Sequence, residues 1–195
     1  LVVAASDSNG VAVEGASINW SIIKQPSSTS GGQLGSGATT TNSSGEASVS
    51  FRMGEDPGTY RVAASHPSAA DSAIFRLEAY GDPDTVVIIS GNNQSAAAGD
   101  TLPNSLVVEV QDSTGQEVPN IDASFEVNSA DGGGVAASET GSYASSVQVL
   151  TGTTGRANAW RRVGGSATSG DPVDTRVVLP NWPDVSAIIF SGSTQ

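Results

Sequence analysis

A stretch of 22 residues occurs twice in this chain, and this repeat constrains the fold more than any other feature. Residues 1–22 read LVVAASDSNGVAVEGASINWSI, and residues 106–127 read LVVEVQDSTGQEVPNIDASFEV. The two copies begin 105 residues apart, which is the size of one small all-β domain. The sequence therefore predicts two tandem domains of one type, where length alone would allow one or two.

Each copy has the pattern of a strand, a tight turn and a second strand. Apolar and polar residues alternate in the strands, as in residues 18–22 and 123–127, which places the apolar side chains on one face of a sheet. Between the strands, Asp7 and Asp112 are each followed by glycine three residues later. We interpret both as turns in which the aspartate accepts main-chain N–H groups. The alternative, a calcium ligand, needs more oxygens than one carboxylate supplies.

The rest of the chain continues this pattern of short strands and turns. Residues 41–47, TNSSGEA, recur as residues 151–157, TGTTGRA, and a loop is predicted over residues 24–37. No window shows a sustained helical period, so we predict an all-β sandwich in each repeat. Residues 81–84, GDPD, form a stiff junction that gives domains at 1–82 and 83–195. The first domain has no counterpart of residues 83–94, so its first strand is absent.

The composition excludes several classes of partner. The chain carries 8 Lys and Arg against 20 Asp and Glu, for a formal net charge of −12. Nucleic acids and anionic membranes both require clustered basic residues, so neither is an expected partner. There is no cysteine, and therefore no disulfide framework or thiolate chemistry. No apolar run reaches the length of a membrane span and no signal peptide is seen, so we expect no membrane insertion.

The order of these motifs resembles the bacterial immunoglobulin-like repeats of the invasin and intimin family, often called group 1. The residues that carry the resemblance are 112–115 (DSTG), 118–120 (VPN), Phe125 and 151–157, with their partners in the first repeat. The resemblance implies two tandem immunoglobulin-like β-sandwiches. It also implies an extracellular or bacterial cell-surface location, neighbouring repeats of the same parent protein as partners, and no catalytic residue.

From this we expect a structural role, as a stalk or adhesive segment that spaces a distal binding site from the cell. One alternative is a ligand-binding module for carbohydrate or a host protein. Another is a fibre subunit that assembles head to tail by strand addition. Such repeats also occur as accessory modules of secreted enzymes.

Candidate sites are few. The one histidine, His66, is not part of a nucleophile motif, and one histidine without cysteine cannot form a zinc site, so we predict no enzymatic activity. No cofactor is expected other than calcium, for which Glu78, Asp82 and Asp84 at the junction are candidate ligands; solvated turn charges are the alternative. Trp182, on a predicted loop, is the candidate ligand contact, with packing against the neighbouring domain as the alternative.

The end of the sequence allows two interpretations. Residues 183–195 resemble residues 83–94, with one residue inserted. In the first interpretation residues 185–191 form the last strand of their own domain, and the first strand of the first domain was lost from the fragment. In the second residues 183–195 fill the missing strand of the next molecule, because an unpaired sheet edge is a template for strand addition, and head-to-tail filling would build a filament.

Overall fold

The computed structural model describes residues 1–26 and 31–195, and its regular structure is entirely β. The predicted all-β class is confirmed. Part of the loop predicted over residues 24–37 lies outside the described residues. The chain divides into two compact units, Leu1–Ala79 and Tyr80–Gln195. Within the described ranges there is no helix that is long and apolar enough to cross a membrane.

The first unit is built from short strands in three antiparallel groups. One sheet has the order β4-β2-β7-β8, and two pairs, β1-β5 and β3-β6, complete the unit. The strands are β1 (Val2–Ala4), β2 (Ser17–Lys24), β3 (Gln33–Leu34), β4 (Ala38–Thr40), β5 (Glu46–Ser48), β6 (Phe51–Arg52), β7 (Gly58–Ser65) and β8 (Ala73–Ala79).

The second unit is larger and has two four-stranded sheets. Their strand orders are β13-β15-β11-β9 and β14-β12-β16-β17, and β10 pairs with β18 in parallel. The strands are β9 (Pro83–Ser90), β10 (Gln94–Ala96), β11 (Leu106–Asp112), β12 (Asp122–Val127), β13 (Gly134–Ala136), β14 (Ser146–Leu150), β15 (Arg156–Arg162), β16 (Thr175–Val178), β17 (Ile188–Phe190) and β18 (Gly192–Thr194).

The strand order of the second unit is that of an immunoglobulin-like sandwich. When β9, β11, β12, β13, β15, β16 and β17 are lettered A to G, one sheet reads A-B-E-D and the other C-F-G, as in the constant-type domain. Strand β14 extends the second sheet beside C. In the first unit, β4-β2-β7-β8 corresponds to β14-β12-β16-β17, and β1-β5 to β11-β15. The predicted sandwich is confirmed, and no strand described in the first unit corresponds to β9.

The repeated turns have the predicted geometry. Oδ1 of Asp7 accepts the N–H groups of Asn9 and Val11, both at 2.9 Å. Oδ1 of Asp112 accepts the N–H groups of Thr114 and Gln116, also at 2.9 Å. The glycine that ends each turn has φ of +82°, a conformation that glycine adopts without strain. The aspartates therefore hold the turns, as the spacing predicted.

Each unit has its own hydrophobic core, and each core contains a buried aromatic side chain. Trp20 is buried in the first unit, where its ring centroid lies 6.1 Å from that of Phe75. Phe125 is fully buried in the second unit. The indole N–H of Trp20 donates to Oγ1 of Thr39 at 2.8 Å, so its polar atom is satisfied inside the sheet.

The end of the chain is incorporated in its own unit. Strand β17 pairs antiparallel with β16, and β18 pairs parallel with β10. The main-chain N–H of Gln195 donates to the carbonyl of Ala96 at 2.9 Å. The structure thus agrees with the interpretation of residues 183–195 as a closing segment, and head-to-tail addition stays a prediction.

Candidate functional site

An open groove runs beside β1 in the first unit. Its volume is about 460 Å³. Strand β1 pairs with β5 on one side, and the described residues place no strand on its other side. Its apolar lining comes from the end of β1, the starts of β2 and β8, the end of β7 and the connections beside them. It consists of Val3, Ala4, Ala5, Val13, Ala16, Ile18, Ala64, Ala69 and Ala73.

The two repeats differ in the exposure of corresponding valines among the described residues. Val3 and Val13 of the first unit correspond in the repeat to Val108 and Val118 of the second. Val108 is 0% exposed and Val118 is 3% exposed, whereas Val3 is only partly buried and Val13 is 36% exposed. The same residue types at the same positions are therefore covered in one unit and open in the other.

The covering element in the second unit is β9. It lies antiparallel on β11, with Ile88 opposite Val108 and Val86 opposite Val110. Val86 is buried, and Ile88 packs against the core cluster. Just before β9, Gly81 lies against the Asp112 carboxylate, where an added Cβ would come within 2.8 Å of Oδ2. One strand thus covers both the β11 edge and the turn that follows it.

The turn aspartates differ in environment but share the same ionisation. For Asp7, the main-chain hydrogen bonds from Val11 and Asn9 hold the pKa below its usual range. For Asp112, burial raises the pKa, but the hydrogen bonds from Thr114 and from main-chain N–H groups outweigh it and the net shift is downward. Both turns therefore carry a negative charge at neutral pH.

His66 lines the same groove as Asp71, Ser65 and Ser68. Its Nδ1 accepts the main-chain N–H of Ser68 at 3.2 Å, so this nitrogen belongs to a local turn. The hydrogen bonds of the described residues include none between the His66 ring and a carboxylate or a serine hydroxyl. The geometry expected of a Ser-His-Asp arrangement is therefore not assembled by the residues that the structure describes.

Trp182 lies in the second unit, beside a cavity of about 390 Å³ that Arg176 and Asp184 also line. The indole is half-buried and packs against the core of its own unit. Arg176 is paired with Glu126 at 3.3 Å on the surface. Trp182 therefore packs against the core on one side and is accessible to solvent on the other. Its role as a ligand contact stays a prediction.

The candidate calcium ligands have separate local partners. Glu78 accepts from Thr59 at 3.0 Å and forms an ion pair with Arg76 at 2.8 Å. Asp84 accepts from the hydroxyl of Thr85 at 3.0 Å, and Asp82 is exposed. Across the described ranges, the structure gathers no group of three or more acidic or histidine side chains that could hold a metal ion. The calcium site stays a sequence-based prediction.

A buried ion pair was not predicted from the sequence. Arg161 and Asp131 are both 0% exposed at the side chain, and Nη2 of Arg161 lies 2.5 Å from Oδ1 of Asp131. The carboxylate also accepts from the hydroxyl of Ser129 at 2.8 Å and the N–H of Gly164 at 3.0 Å. Burial raises the Asp131 pKa, but these hydrogen bonds and the guanidinium together lower it below its usual range.

The signal for this pair is weak in the sequence. Arg161 follows Trp160 in an alternating strand, and its side chain points inward where an apolar residue is expected. The next residue, Arg162, stacks over the ring of Tyr143, 4.5 Å from the centroid. The pair joins the loop after β12 to β15 within the second unit, which gives it a structural role.

Comparison with known proteins finds similarity in structure only. No family model matches the sequence, and no curated protein matches it. The chain is similar to the D0-D1 domain of intimin, with 16% identity over 97% of this chain and 87% of that one and a TM-score of 0.39. It is similar to the Yersinia pseudotuberculosis adhesin InvE, with 15% identity over 100% of this chain and 53% of that one and a TM-score of 0.47.

A β-glycosidase from Bacteroides vulgatus is also similar, with 11% identity over 92% of this chain and 21% of that enzyme and a TM-score of 0.42. The chain thus spans about half of the InvE structure and about a fifth of the glycosidase. Intimin and invasin, the family that the sequence resembles, are among the structural neighbours.

Proposed function

We propose that this chain is a stalk or adhesive segment of a bacterial cell-surface or secreted protein, which spaces a distal binding site. The observation that carries the proposal is the tandem repeat of one sandwich, each copy with its own core. A repeated domain adds length to a protein without adding a new site. We take the second domain to begin near residue 83, and no strand described in the first unit corresponds to β9.

The charge of the chain supports this role. Each unit has more acidic than basic residues. Among the described residues, most carboxylates are not in an ion pair with a basic side chain. Such a surface repels other acidic surfaces and keeps neighbouring copies apart. On a crowded cell surface, this repulsion would help a spacer to stay separate from its neighbours.

The test places one or two copies of the chain between a bacterial surface anchor and an epitope tag. The spacer role predicts that the capture of antibody-coated beads rises with the number of copies. It also predicts that Trp182→Ala leaves capture unchanged, because no side chain of the spacer is needed for binding. As the matched control, Phe125→Asp disrupts the core of the second unit and should abolish the gain. Bead capture that does not respond to copy number would contradict the proposal.

A second candidate function, a ligand-binding module, is favoured by the half-buried Trp182 beside a cavity that also presents Arg176 and Asp184. An aromatic face next to polar groups is the chemistry that holds a sugar ring or a peptide side chain. Here the test is retention of the isolated chain on immobilised glycans and host proteins. Binding that is lost in Trp182→Ala and kept in Trp182→Phe would support this function and displace the spacer role.

A further inference from the structure

We infer that a cavity at the end of the β13–β15 pair in the second unit is a binding site for a carboxylated sugar at the end of a glycan, with Arg162 as the residue that holds the carboxylate. The cavity has a volume of about 390 Å³ and is lined by Arg162, Tyr143, Val163 and six glycines. It shares no lining residue with the cavity beside Trp182. The inference goes beyond the proposed spacer role, which needs no binding site.

Arg162 carries a positive charge that no carboxylate of the described residues neutralises. All basic side chains of the second unit are arginines. Three of them, Arg156, Arg161 and Arg176, form ion pairs with carboxylates of their own unit. Arg162 forms no ion pair within the part of the chain that the structure describes, and it is exposed at the cavity. Its N–H groups are therefore available to an anionic ligand.

Tyr143 orients this guanidinium. The central carbon of the guanidinium lies 4.5 Å from the centroid of the Tyr143 ring. The Tyr143 hydroxyl donates to the carbonyl of Glu139 at 2.9 Å and lies 3.3 Å from Oγ1 of Thr101, so the ring is held from two sides. A guanidinium stacked on an aromatic ring keeps the N–H groups at its edge free for a two-point contact with a carboxylate. Arg162 is therefore oriented before a ligand binds.

Glycine residues form most of the rest of the lining. At Gly164 an added Cβ would collide with the carbonyl oxygen of Asp131. The Asp131 carboxylate accepts the N–H of Gly164 at 3.0 Å, so the buried Asp131–Arg161 pair fixes this wall of the cavity. At Gly165, by contrast, nothing lies within 4 Å of an added Cβ. The glycine surface allows a ligand with several hydroxyl groups to approach the main chain closely.

A terminal acidic sugar fits this site better than a peptide or a polyanion. An extended peptide needs a free strand edge, and β13 pairs with β15 on one side. On its other side Val135 exchanges main-chain hydrogen bonds with Ala144 at 2.8 and 3.0 Å. A long polyanion would be repelled by the acidic residues of the unit. A single carboxylated sugar has one charge for Arg162 and hydroxyl groups for the main chain of the glycines.

The test is a titration of the full chain, followed by NMR of the main-chain amides. Methyl β-D-glucuronide and sialyllactose are two sources of a carboxylated sugar, and methyl β-D-glucoside and lactose are their neutral controls. We expect saturable shifts at the amides of Gly133, Gly164 and Gly165 with at least one acidic probe and none with the neutral probes. The lower Kd of the two acidic probes identifies the type of sugar. An acetylated glycine tripeptide with a free carboxylate serves as the peptide control.

Variants of the chain locate the site. Arg162→Gln should weaken binding by at least about tenfold, because a charged hydrogen-bonded contact is lost. Arg176→Gln removes the same charge beside Trp182, and screening by salt should keep its effect within about twofold. Gly165→Leu places a side chain in the cavity and should abolish binding. Gly37→Leu is the matched control, because an added Cβ at this glycine of the first unit also has nothing within 4 Å, and it should leave binding unchanged.

Four outcomes would overturn the inference. The first is the absence of saturable shifts with both acidic sugars. The second is equal binding of the acidic and neutral probes, which would show that the carboxylate is not recognised. The third is binding that is kept in Arg162→Gln and lost in Arg176→Gln, which would place the sugar in the cavity beside Trp182. The fourth is binding of the tripeptide as tight as that of the sugars, which would assign the site to a peptide carboxylate.

Discussion

At the scale of single residues, the Asp131–Arg161 pair gives the sharpest prediction. Both side chains are fully buried, so removing the carboxylate leaves a guanidinium without its counter-ion in the core. We expect Asp131→Ala to lower the free energy of unfolding of the second unit by about 3–5 kcal/mol. Urea unfolding, monitored by hydrogen exchange of the main-chain amides of β15, measures this loss of stability.

The control is an ion pair on the surface of the same unit. Arg176 and Glu126 form a pair at 3.3 Å, with side chains 46% and 36% exposed. Glu126→Ala should cost less than about 1 kcal/mol, because water screens and replaces the interaction. A similar loss for both variants would show that the burial of Asp131 does not matter.

The same carboxylate makes the second unit sensitive to acid. The folded pKa of Asp131 lies below its usual value, as do those of Asp112 and of Glu109, where the hydrogen bond from Arg156 is the main cause. Groups with a lowered folded pKa contribute stability that is complete above their unfolded pKa, near about 4, and is lost as the pH falls through the folded value.

We therefore expect the urea midpoint of the second unit to be flat from pH 7 to about pH 5 and to fall below about pH 4. Asp131→Asn should make this fall shallower, because one of the titrating groups is gone. Unfolding midpoints at a series of pH values test both statements. A urea midpoint that falls as the pH rises from 5 to 7 would contradict this, because it would show that groups other than these carboxylates control the pH dependence of stability.

At the scale of elements, the turn before β15 depends on Gly155. This residue has φ of +65°, and a Cβ added there would lie 2.9 Å from the carbonyl oxygen of Val110 on β11. Gly170 also has a positive φ, of +91°, but nothing lies within 4 Å of an added Cβ. Both Gly→Ala changes incur the left-handed cost of about 1–2 kcal/mol, and only Gly155→Ala adds a main-chain clash.

We expect Gly155→Ala to lower the free energy of unfolding by clearly more than Gly170→Ala, as measured by chemical denaturation of the second unit. The difference between the two losses measures the cost of the clash between the added methyl group and the main chain of β11. Equal losses would mean that the loop can shift to admit a methyl group.

The sequence predicts an element well when the interactions that form it lie close together along the chain. The Asp7 and Asp112 turns were predictable, because the side chain and the N–H groups it accepts lie within four residues. Residues 47–53 have the alternation typical of one strand, but the structure has two, β5 and β6, because β5 pairs with β1 and β6 pairs with β3. The residues of a short strand do not indicate which distant strand it pairs with.

The candidate sites show the same limit. The lack of a counterpart of β9 was visible in the repeat, but the groove exists only because β1, β2, β7 and β8 converge on it. The pairing of Asp131 with Arg161 spans 30 residues, and no short-range pattern indicates that two charged side chains meet in a core. Trp182 was assigned to a loop, and its packing against its own unit required the structure.

At the scale of the whole molecule, the two units differ in their cores. Among the described residues, the buried cluster of the second unit has seventeen members and that of the first has six. Because stability follows the apolar area removed from water, we expect the first unit to open at a lower denaturant concentration than the second. Hydrogen exchange read by mass spectrometry on the full chain, with peptides from β7 and β11, resolves the two events.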